Sequence, residues 1–210
     1  MKNLVIVGAA GFGREVLLYA LGIMKVKKEF EIKGFIDDNL QALDGYKYDY
    51  KILSAIDDYE ICEDDVFICT IGDVNIKKRI CEGLLNRGAE FINLIHPTAI
   101  VGFSSTMGIG NIMAPYSVIT QDVKIGDFVT INCSSGCGHD AEVGDFCTIC
   151  SGCDITGAVK LKECVFLGSN VSISPKIVVG RGARVGAGSV VIKNVKENTA
   201  VFGNPAKEIF

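Results

Sequence analysis

Every sixth residue from Ile95 to Val191 is apolar, without a break: Ile95, Val101, Met107, Met113, Ile119, Ile125, Ile131, Cys137, Val143, Ile149, Ile155, Leu161, Leu167, Ile173, Val179, Val185 and Val191. In a chain that is 49% hydrophobic, chance gives such a frame about once in a hundred thousand. Four residues after each comes a second series, from Ala99, Ser105, Asn111 and Ser117 to Ser189 and Val195, of small or β-branched residues. Two inward positions in six, one large and one small, describe a flat face followed by a tight corner. Three such faces close a triangular coil of about 18 residues, and successive coils stack as parallel strands about 4.8 Å apart. The repeat is long enough for nearly six coils. Glycine often follows the large position, as at Gly102, Gly108, Gly126, Gly138, Gly144, Gly168, Gly180 and Gly186. With 24 glycines against 4 prolines, turns are plentiful without being proline-rich. A purely structural or ice-binding-like solenoid would favour a regular threonine ladder on one outward face, and the sequence has none.

The residues before the repeat follow another pattern. Leu4-Val5-Ile6-Val7 is a short β-branched run ending at Gly8, as a strand buried on both faces requires. It leads into Gly8-Ala9-Ala10-Gly11-Phe12-Gly13 and then Arg14 to Met24, where Val16, Leu17, Ala20, Leu21 and Met24 recur at helical spacing. Strands are expected at Ile32–Ile36, Val66–Ile71 and Phe91–Ile95, with a helix through Ile76, Ile80 and Leu84 that stops near Gly88. The order β-α-β…β-α-β specifies a small parallel sheet with helices on its faces, a Rossmann-like arrangement. The expected division is therefore an α/β domain at 1–94, a β-helix at 95–198 and a tail at 199–210.

A glycine turn between a first strand and a helix is where backbone N–H groups and the helix N-terminus meet an anion. The spacing here is G-x-x-G-x-G and not the dinucleotide fingerprint G-x-G-x-x-G. A nucleotide-type ligand and a purely structural turn both fit, but the sheet is too small for a complete NAD-binding domain. Asp37 and Asp38 close the second strand at the sheet's ligand-binding edge, where they accept hydrogen bonds from a ribose or base or form a solvated turn. The turn at Thr70-Ile71-Gly72-Asp73 lies on the same edge.

Charge and cysteine usage exclude other classes. With 21 basic and 25 acidic residues the formal net charge is −4, whereas nucleic-acid binding needs a concentrated basic patch. The first apolar run is too short for a signal peptide and no stretch reaches a membrane span. Nine cysteines, an odd number and scattered, form a poor disulfide framework, so a reducing cytoplasm is the expected compartment. Cys137, Cys147 and Cys153 fall on inward positions of the repeat and fill the core. Cys150-x-x-Cys153 has the spacing of a metal pair, but within the repeat the two side chains diverge, and no metal is expected.

The chain has two histidines. His96, before Pro97, marks the domain junction. His139, in Gly138-His139-Asp140, falls near a corner with its ring outward, because Cys137 and Ala141 take the inward places. On position alone it is either a surface residue or a base facing a neighbouring subunit.

Taken together, Gly8-Ala9-Ala10-Gly11-Phe12-Gly13-Arg14-Glu15, Phe35-Ile36-Asp37-Asp38, Ile71-Gly72, Ile95-His96-Pro97, Asn132, Gly138-His139-Asp140, Gly168 and Gly203-Asn204-Pro205-Ala206-Lys207 resemble a known family. It is the bacterial sugar acetyltransferases of the sialic acid O-acetyltransferase/PglD type, whose repeat is that of the left-handed parallel β-helix (hexapeptide-repeat) acyltransferases. The resemblance runs over essentially the whole chain. It implies transfer of acetyl from acetyl-CoA to a nucleotide-linked amino sugar, with UDP the expected nucleotide, in surface glycan synthesis. It implies His139 as general base and Asp140 as the residue that orients it. A homotrimer with acetyl-CoA between adjacent β-helices follows, with Asn132, Thr148, Gly157, Gly168, Ala187 and Lys207 at the cofactor. Ala10, Gly11, Phe12, Gly13, Asp37, Asp38 and Gly72 are placed at the nucleotide sugar.

The chemistry is consistent with these roles. Acyl transfer from a thioester needs a base for the attacking group, which histidine supplies near neutral pH. A carboxylate neighbour fixes the tautomer and stabilises the imidazolium. Gly157, one coil beyond His139, can bring a backbone N–H to the thioester carbonyl as oxyanion donor. The sequence departs from the N-acetyltransferases of the family at Thr148, where they carry a second histidine beside the cofactor. That leaves room for O-acetylation of a sialic acid or other glycan sugar, and a non-catalytic nucleotide-sugar scaffold is a further alternative. Arg181, Arg184, Lys193 and Lys207 are candidates for the CoA phosphates or form a solvated surface.

Overall fold

The computed structural model describes residues 1–209 and divides into two compact units, 1–97 and 98–210. The first is an α/β unit. Its sheet contains β1 (Lys2–Val7), β2 (Phe30–Ile36), β3 (Ile52–Ser54), β4 (Asp65–Cys69) and β5 (Glu90–Phe91), in the order β3-β2-β1-β4-β5 and parallel throughout. Helices α1 (Gly11–Met24) and α2 (Val74–Asn86) supply crossovers. Leu4, Val5, Ile6 and Val7 of the central strand are all fully buried, as a parallel strand covered on both faces requires. Strand β3 is absent from the sequence reading; its three half-buried or exposed residues carry no burial pattern to announce it. β5 is shorter than expected and ends at Phe91.

The second unit is a parallel β-helix built from two-residue strands. Its first face runs from Ile100–Val101 to Val190–Val191, its second from Thr106–Met107 to Val178–Val179, and its third from Ile112–Met113 to Arg184–Val185. The register advances by one coil at every pairing, as in Gly136↔Asp154 and Cys137↔Ile155. The third face is extended by Ala200–Gly203, which pairs parallel with Arg184–Val185, and by the antiparallel strand Ala206–Glu208.

The large inward series from Met113 to Val191 is buried, and with the small series it forms one continuous core. Val101 and Met107 are only partly covered, and Ile95 is 37% exposed. Cys147 and Cys153 are buried, and each thiol donates to a carbonyl of the next coil, at Lys162 and Gly168, both at 3.1 Å.

The corners have a period of their own. Every sixth residue from Gly110 to Gly188 is left-handed, with φ between 56° and 75°; Phe128, Asp140, Phe146 and Lys176 are among them. The glycines that follow the large inward residues are not at these positions. They answer a different demand, because the next coil passes too close: a β-carbon on Gly138 would lie 2.8 Å from Gly157 N, and one on Gly168 2.6 Å from Ala187 N.

Candidate active site and nucleotide-binding turn

The corner between the first and second faces carries His139 and Asp140. Adjacent residues in an extended strand point to opposite sides, but the left-handed conformation of Asp140, φ 61°, breaks that alternation. Its carboxylate Oδ2 lies 2.7 Å from His139 Nδ1. The imidazole side chain is 73% exposed, so the pair projects outward as the repeat requires. The His139 carbonyl accepts the Ala158 N–H at 2.8 Å, and Asp140 N–H donates to Gln121 O at 3.2 Å, which ties this corner to the coils on either side. Gly157 stacks on His139: a β-carbon there would fall 2.7 Å from Nε2. The ring nitrogen not held by Asp140 thus lies against bare backbone. This arrangement can take a proton at Nε2 while the carboxylate balances the charge at Nδ1.

The remaining residues expected at the cofactor are not beside this pair. Asn132, Gly168 and Ala187 occupy the corner between the third and first faces, Asn132 two coils before Gly168 and Ala187 one coil after it. Lys207 is exposed in the C-terminal hairpin. Thr148 sits on the third face in register with Thr130 and Phe166 and is only 7% exposed. An outward strand position does not guarantee accessibility when neighbouring side chains cover it.

In the N-terminal unit the glycine turn is shaped by close contact. Gly8 has φ +98°, and a β-carbon on Gly13 would lie 2.0 Å from the Gly8 carbonyl oxygen. Gly11 meets nothing within 4 Å. Helix α1 begins here with Ala10 as N-cap and no side-chain cap, leaving its first N–H groups to another acceptor. Helix α2 differs, because Asp73 caps it by accepting from the N–H groups of Asn75 and Ile76, both at 3.0 Å. Asp37 and Asp38 hold the loops: Asp37 Oδ2 accepts the Ala9 N–H at 2.7 Å, and Asp38 Oδ1 accepts the Ile56 N–H at 3.0 Å. Each carboxylate retains further acceptor capacity. Gly72, exposed on the same sheet edge, has no neighbour within 4 Å of a β-carbon.

A cavity of about 570 Å³ opens beside the turn, lined by Gly11, Arg14 and Glu15 of α1 and by Lys47, Tyr48 and Tyr50. The Arg14 guanidinium lies 4.1 Å from the Tyr46 ring centroid, and Tyr46 stacks on Tyr48. Sequence reasoning missed this wall; the alternation Tyr46, Tyr48, Tyr50 was its only signal.

The other histidine is structural. The His96 ring packs edge-on to Tyr19 at 6.2 Å and against Gly22, and burial pushes its pKa down. Among the described residues no three His, Cys, Asp or Glu side chains gather as a metal site would need, and no helix is long and apolar enough to cross a membrane.

Comparison with known proteins adds to this geometry. Residues 3–84 match the PglD N-terminal domain family. The chain is 28% identical over 148 residues to the GDP-perosamine N-acetyltransferase of Escherichia coli O157:H7, covering 68% of this chain and 67% of that protein. The whole α/β-plus-left-handed-β-helix architecture superposes on WeeI from Acinetobacter baumannii AYE, with TM-score 0.88, 25% identity and 100% of both chains covered. The acetyltransferase domain of PglB from Neisseria gonorrhoeae FA1090, solved with acetyl coenzyme A, matches with TM-score 0.88 and 25% identity over 99% of both chains.

Proposed function

The chain belongs to the bacterial sugar acetyltransferases, and from that premise we propose that it moves the acetyl group of acetyl-CoA directly onto the amine of a nucleotide-linked amino sugar, with His139 as general base. The observation that carries the reading is the His139 Nδ1–Asp140 Oδ2 contact of 2.7 Å, with Nε2 lying against Gly157. The amine nitrogen forms a bond to the thioester carbonyl carbon while Nε2 accepts the proton it loses. Asp140 stabilises the imidazolium, and the Gly157 N–H is the donor proposed for the oxyanion. Collapse breaks the carbon–sulfur bond, and the proton held by His139 passes to the departing thiolate. The products are the acetamido sugar and CoA thiol. No acyl-cysteine is needed, in keeping with the buried thiols of Cys137, Cys147 and Cys153.

The uncapped start of α1 supports binding of the nucleotide diphosphate at Ala10, Gly11, Phe12 and Gly13, with Asp37, Asp38 and Gly72 at the same sheet edge. UDP is the nucleotide we assign; the E. coli relative is named for a GDP sugar. His139 and the Asn132–Gly168–Ala187 column lie on different corners of the solenoid. That separation supports a homotrimer in which the donor lies between copies.

Thiol release from acetyl-CoA, measured with UDP- and GDP-linked amino sugars and their hydroxyl counterparts, tests the reading. Release is expected with an amino sugar and is abolished by His139→Ala in a folded variant. Near-normal turnover in that variant removes the base, release with hydroxyl sugars alone makes it an O-acetyltransferase, and no release with any sugar nucleotide leaves the scaffold.

A further inference from the structure

The corner that carries His139 runs back through two earlier coils, whose side chains the proton transfer does not use. The strand register sets this column. Ile100 pairs with Val118 and Val118 with Gly136, so Phe103, Gln121 and His139 take the same corner position in successive coils, about 4.8 Å apart. Gly157 is next in line. Ser104, Asp122 and Asp140 follow them at the neighbouring position of each coil.

Gln121 is held in one orientation. Its Oε1 accepts the Ser104 hydroxyl at 2.6 Å and the Ser104 N–H at 3.4 Å. The same hydroxyl oxygen accepts the Asp122 N–H at 3.0 Å, so its proton is left for Gln121. A β-carbon on Gly102 would lie 3.1 Å from Oε1, which places the amide back over the first coil. With Oε1 committed to Ser104, Nε2 faces away from it and donates to nothing among the described residues. A fixed amide with both N–H bonds unspent is a preorganised donor. Phe103, one coil earlier, is 94% exposed, more than any other large hydrophobic side chain among the described residues. Its ring covers no core, so its apolar face is left for a partner.

Charge decides which part of a substrate fits. Phe103, Ser104, Gln121, Asp122, His139 and Asp140 include two carboxylates and no lysine or arginine. The diphosphate of a sugar nucleotide and the phosphates of CoA would be repelled there. A pyranose matches each element, with hydroxyls for the amide N–H, a CH face for the aromatic ring and an amine that the carboxylates attract. The order along the column agrees. The Gly157 N–H, one coil after His139, is assigned to the thioester carbonyl, which leaves the acceptor the other side of the imidazole, over Gln121. We propose that Gln121 and Phe103 form the acceptor-sugar subsite: Gln121 Nε2 donates to a ring hydroxyl, and Phe103 covers the apolar face of the pyranose. Both are positioning residues that select the sugar and take no part in proton transfer. This inference rests on His139 as the base, and adds discrimination among sugars that share one nucleotide.

Gln121→Leu, which keeps bulk and removes the N–H donors, and Phe103→Ala both fall at exposed positions of the full chain. The substrate is whichever UDP- or GDP-linked amino sugar the wild type turns over fastest. Its KM is expected to rise about five- to tenfold in each variant, with kcat and KM for acetyl-CoA held within about twofold. Calorimetric affinity for the matching bare nucleotide, UDP or GDP, is expected to stay at the wild-type value, because only the sugar loses its contacts. An unchanged KM in both variants overturns the subsite. So does an equal loss of affinity for the bare nucleotide, or a raised KM for acetyl-CoA, either of which gives the column to another part of the reactants. Dissociation of the variants into smaller species by light scattering, alongside the raised KM, also overturns it and makes Phe103 a contact for a second copy. If the wild type released no thiol with any sugar nucleotide, the acetyltransferase reading would fail. Calorimetry with the same sugar nucleotides would still decide the subsite: an affinity above that of the bare nucleotide in the wild type, lost in both variants, upholds it, and no such difference overturns it.

Discussion

His139 Nε2 occupies the space that a side chain on Gly157 would need, 2.7 Å from where a β-carbon would stand. The obstacle to a larger residue is the end of an exposed ring, and Gly157 does not have the left-handed backbone of its neighbour Ala158. Gly157→Ala is therefore expected to fold normally, with Tm within about 2 °C of wild type. The added methyl displaces the ring from Asp140 and crowds the proposed oxyanion donor, so kcat falls by at least roughly tenfold while KM for the nucleotide sugar holds. Unchanged kcat would mean that the reacting carbonyl lies elsewhere.

Loss of the base and loss of its partner should separate. His139→Ala removes proton transfer and lowers kcat by about 10²–10⁴. On the proposed mechanism Asp140 acts through the ring, and it adopts a left-handed φ that asparagine tolerates and alanine resists. Asp140→Asn is expected to lower kcat, leave KM for acetyl-CoA in place and preserve Tm. Asp140→Ala is expected to lower both kcat and Tm. If Asp140→Asn kept the wild-type kcat, the carboxylate would have no part in the reaction.

The glycine turn offers a paired test of ligand against structure. A β-carbon on Gly13 would collide with the Gly8 carbonyl at 2.0 Å, so Gly13→Ala is expected to destabilise the N-terminal unit outright. Nothing in the protein forbids a side chain at Gly11, which opens α1 without a positive φ. Gly11→Ala should keep or slightly raise stability. If a diphosphate approaches this backbone, the same substitution raises KM for the nucleotide sugar several-fold; an unaltered KM would place the nucleotide away from the turn.

The six-residue period made the solenoid legible because its inward positions must be apolar in every coil, and it put His139 on an outward corner for the same reason. The left-handed corners were not legible. Tyr116, Phe128, Asp140, Phe146 and Lys176 share a conformation but no chemistry, since the coil imposes the φ whatever the side chain. Glycine pointed to the wrong cause, close approach between coils being the demand it meets. Asp37 was found at the sheet edge, but its grip on the Ala9 N–H depends on a partner 28 residues away that no local pattern reveals. Thr148 was assigned to the cofactor through the resemblance, and the near-complete cover of its position on the third face is something that the spacing along the chain does not reveal.

Cysteine reactivity reads the same packing. Cys62 is exposed, Cys133 and Cys150 are half-buried, and the other six thiols are buried. Burial pushes Cys137 up to about 12 and Cys153 up to about 11, and it raises Cys150 as well. Because the thiolate is the nucleophile, titration of the native protein with a disulfide reagent at pH 8 should show Cys62 reacting fast and Cys133 and Cys150 slowly. The remaining six should appear only on denaturation. Rapid modification of Cys153 in the native state would contradict its place inside the coil.

The N-terminal unit has a pH-dependent lock at Asp65, which is 2% exposed. It accepts from Lys33 Nζ at 2.8 and 3.0 Å, from the Tyr59 hydroxyl at 2.7 Å and from the Cys62 N–H at 3.0 Å. Burial alone would raise the carboxyl, but these donors outweigh it and hold the pKa below its usual value. Burial, reinforced by Asp65, pushes Tyr59 up to about 12, and Lys33 is raised because its pairing outweighs its own desolvation. The stabilisation from Asp65 is therefore complete above the unfolded carboxyl pKa of about 4 and disappears as the pH falls through the lower folded value. That from Lys33 and Tyr59 is complete below about 10 and is lost as the pH rises through their raised values. Asp65→Asn should cost about 1–3 kcal/mol at pH 7, because the buried acceptor loses its charge-assisted hydrogen bonds while the exposed Lys33 keeps its solvent. The gap to wild type should narrow toward pH 3. The chain has no tryptophan, and Tyr116 is its only tyrosine outside this unit, so near-ultraviolet dichroism during urea unfolding reports mainly on the unit. A gap of the same size at pH 3 and pH 7 would show that the carboxylate charge contributes nothing.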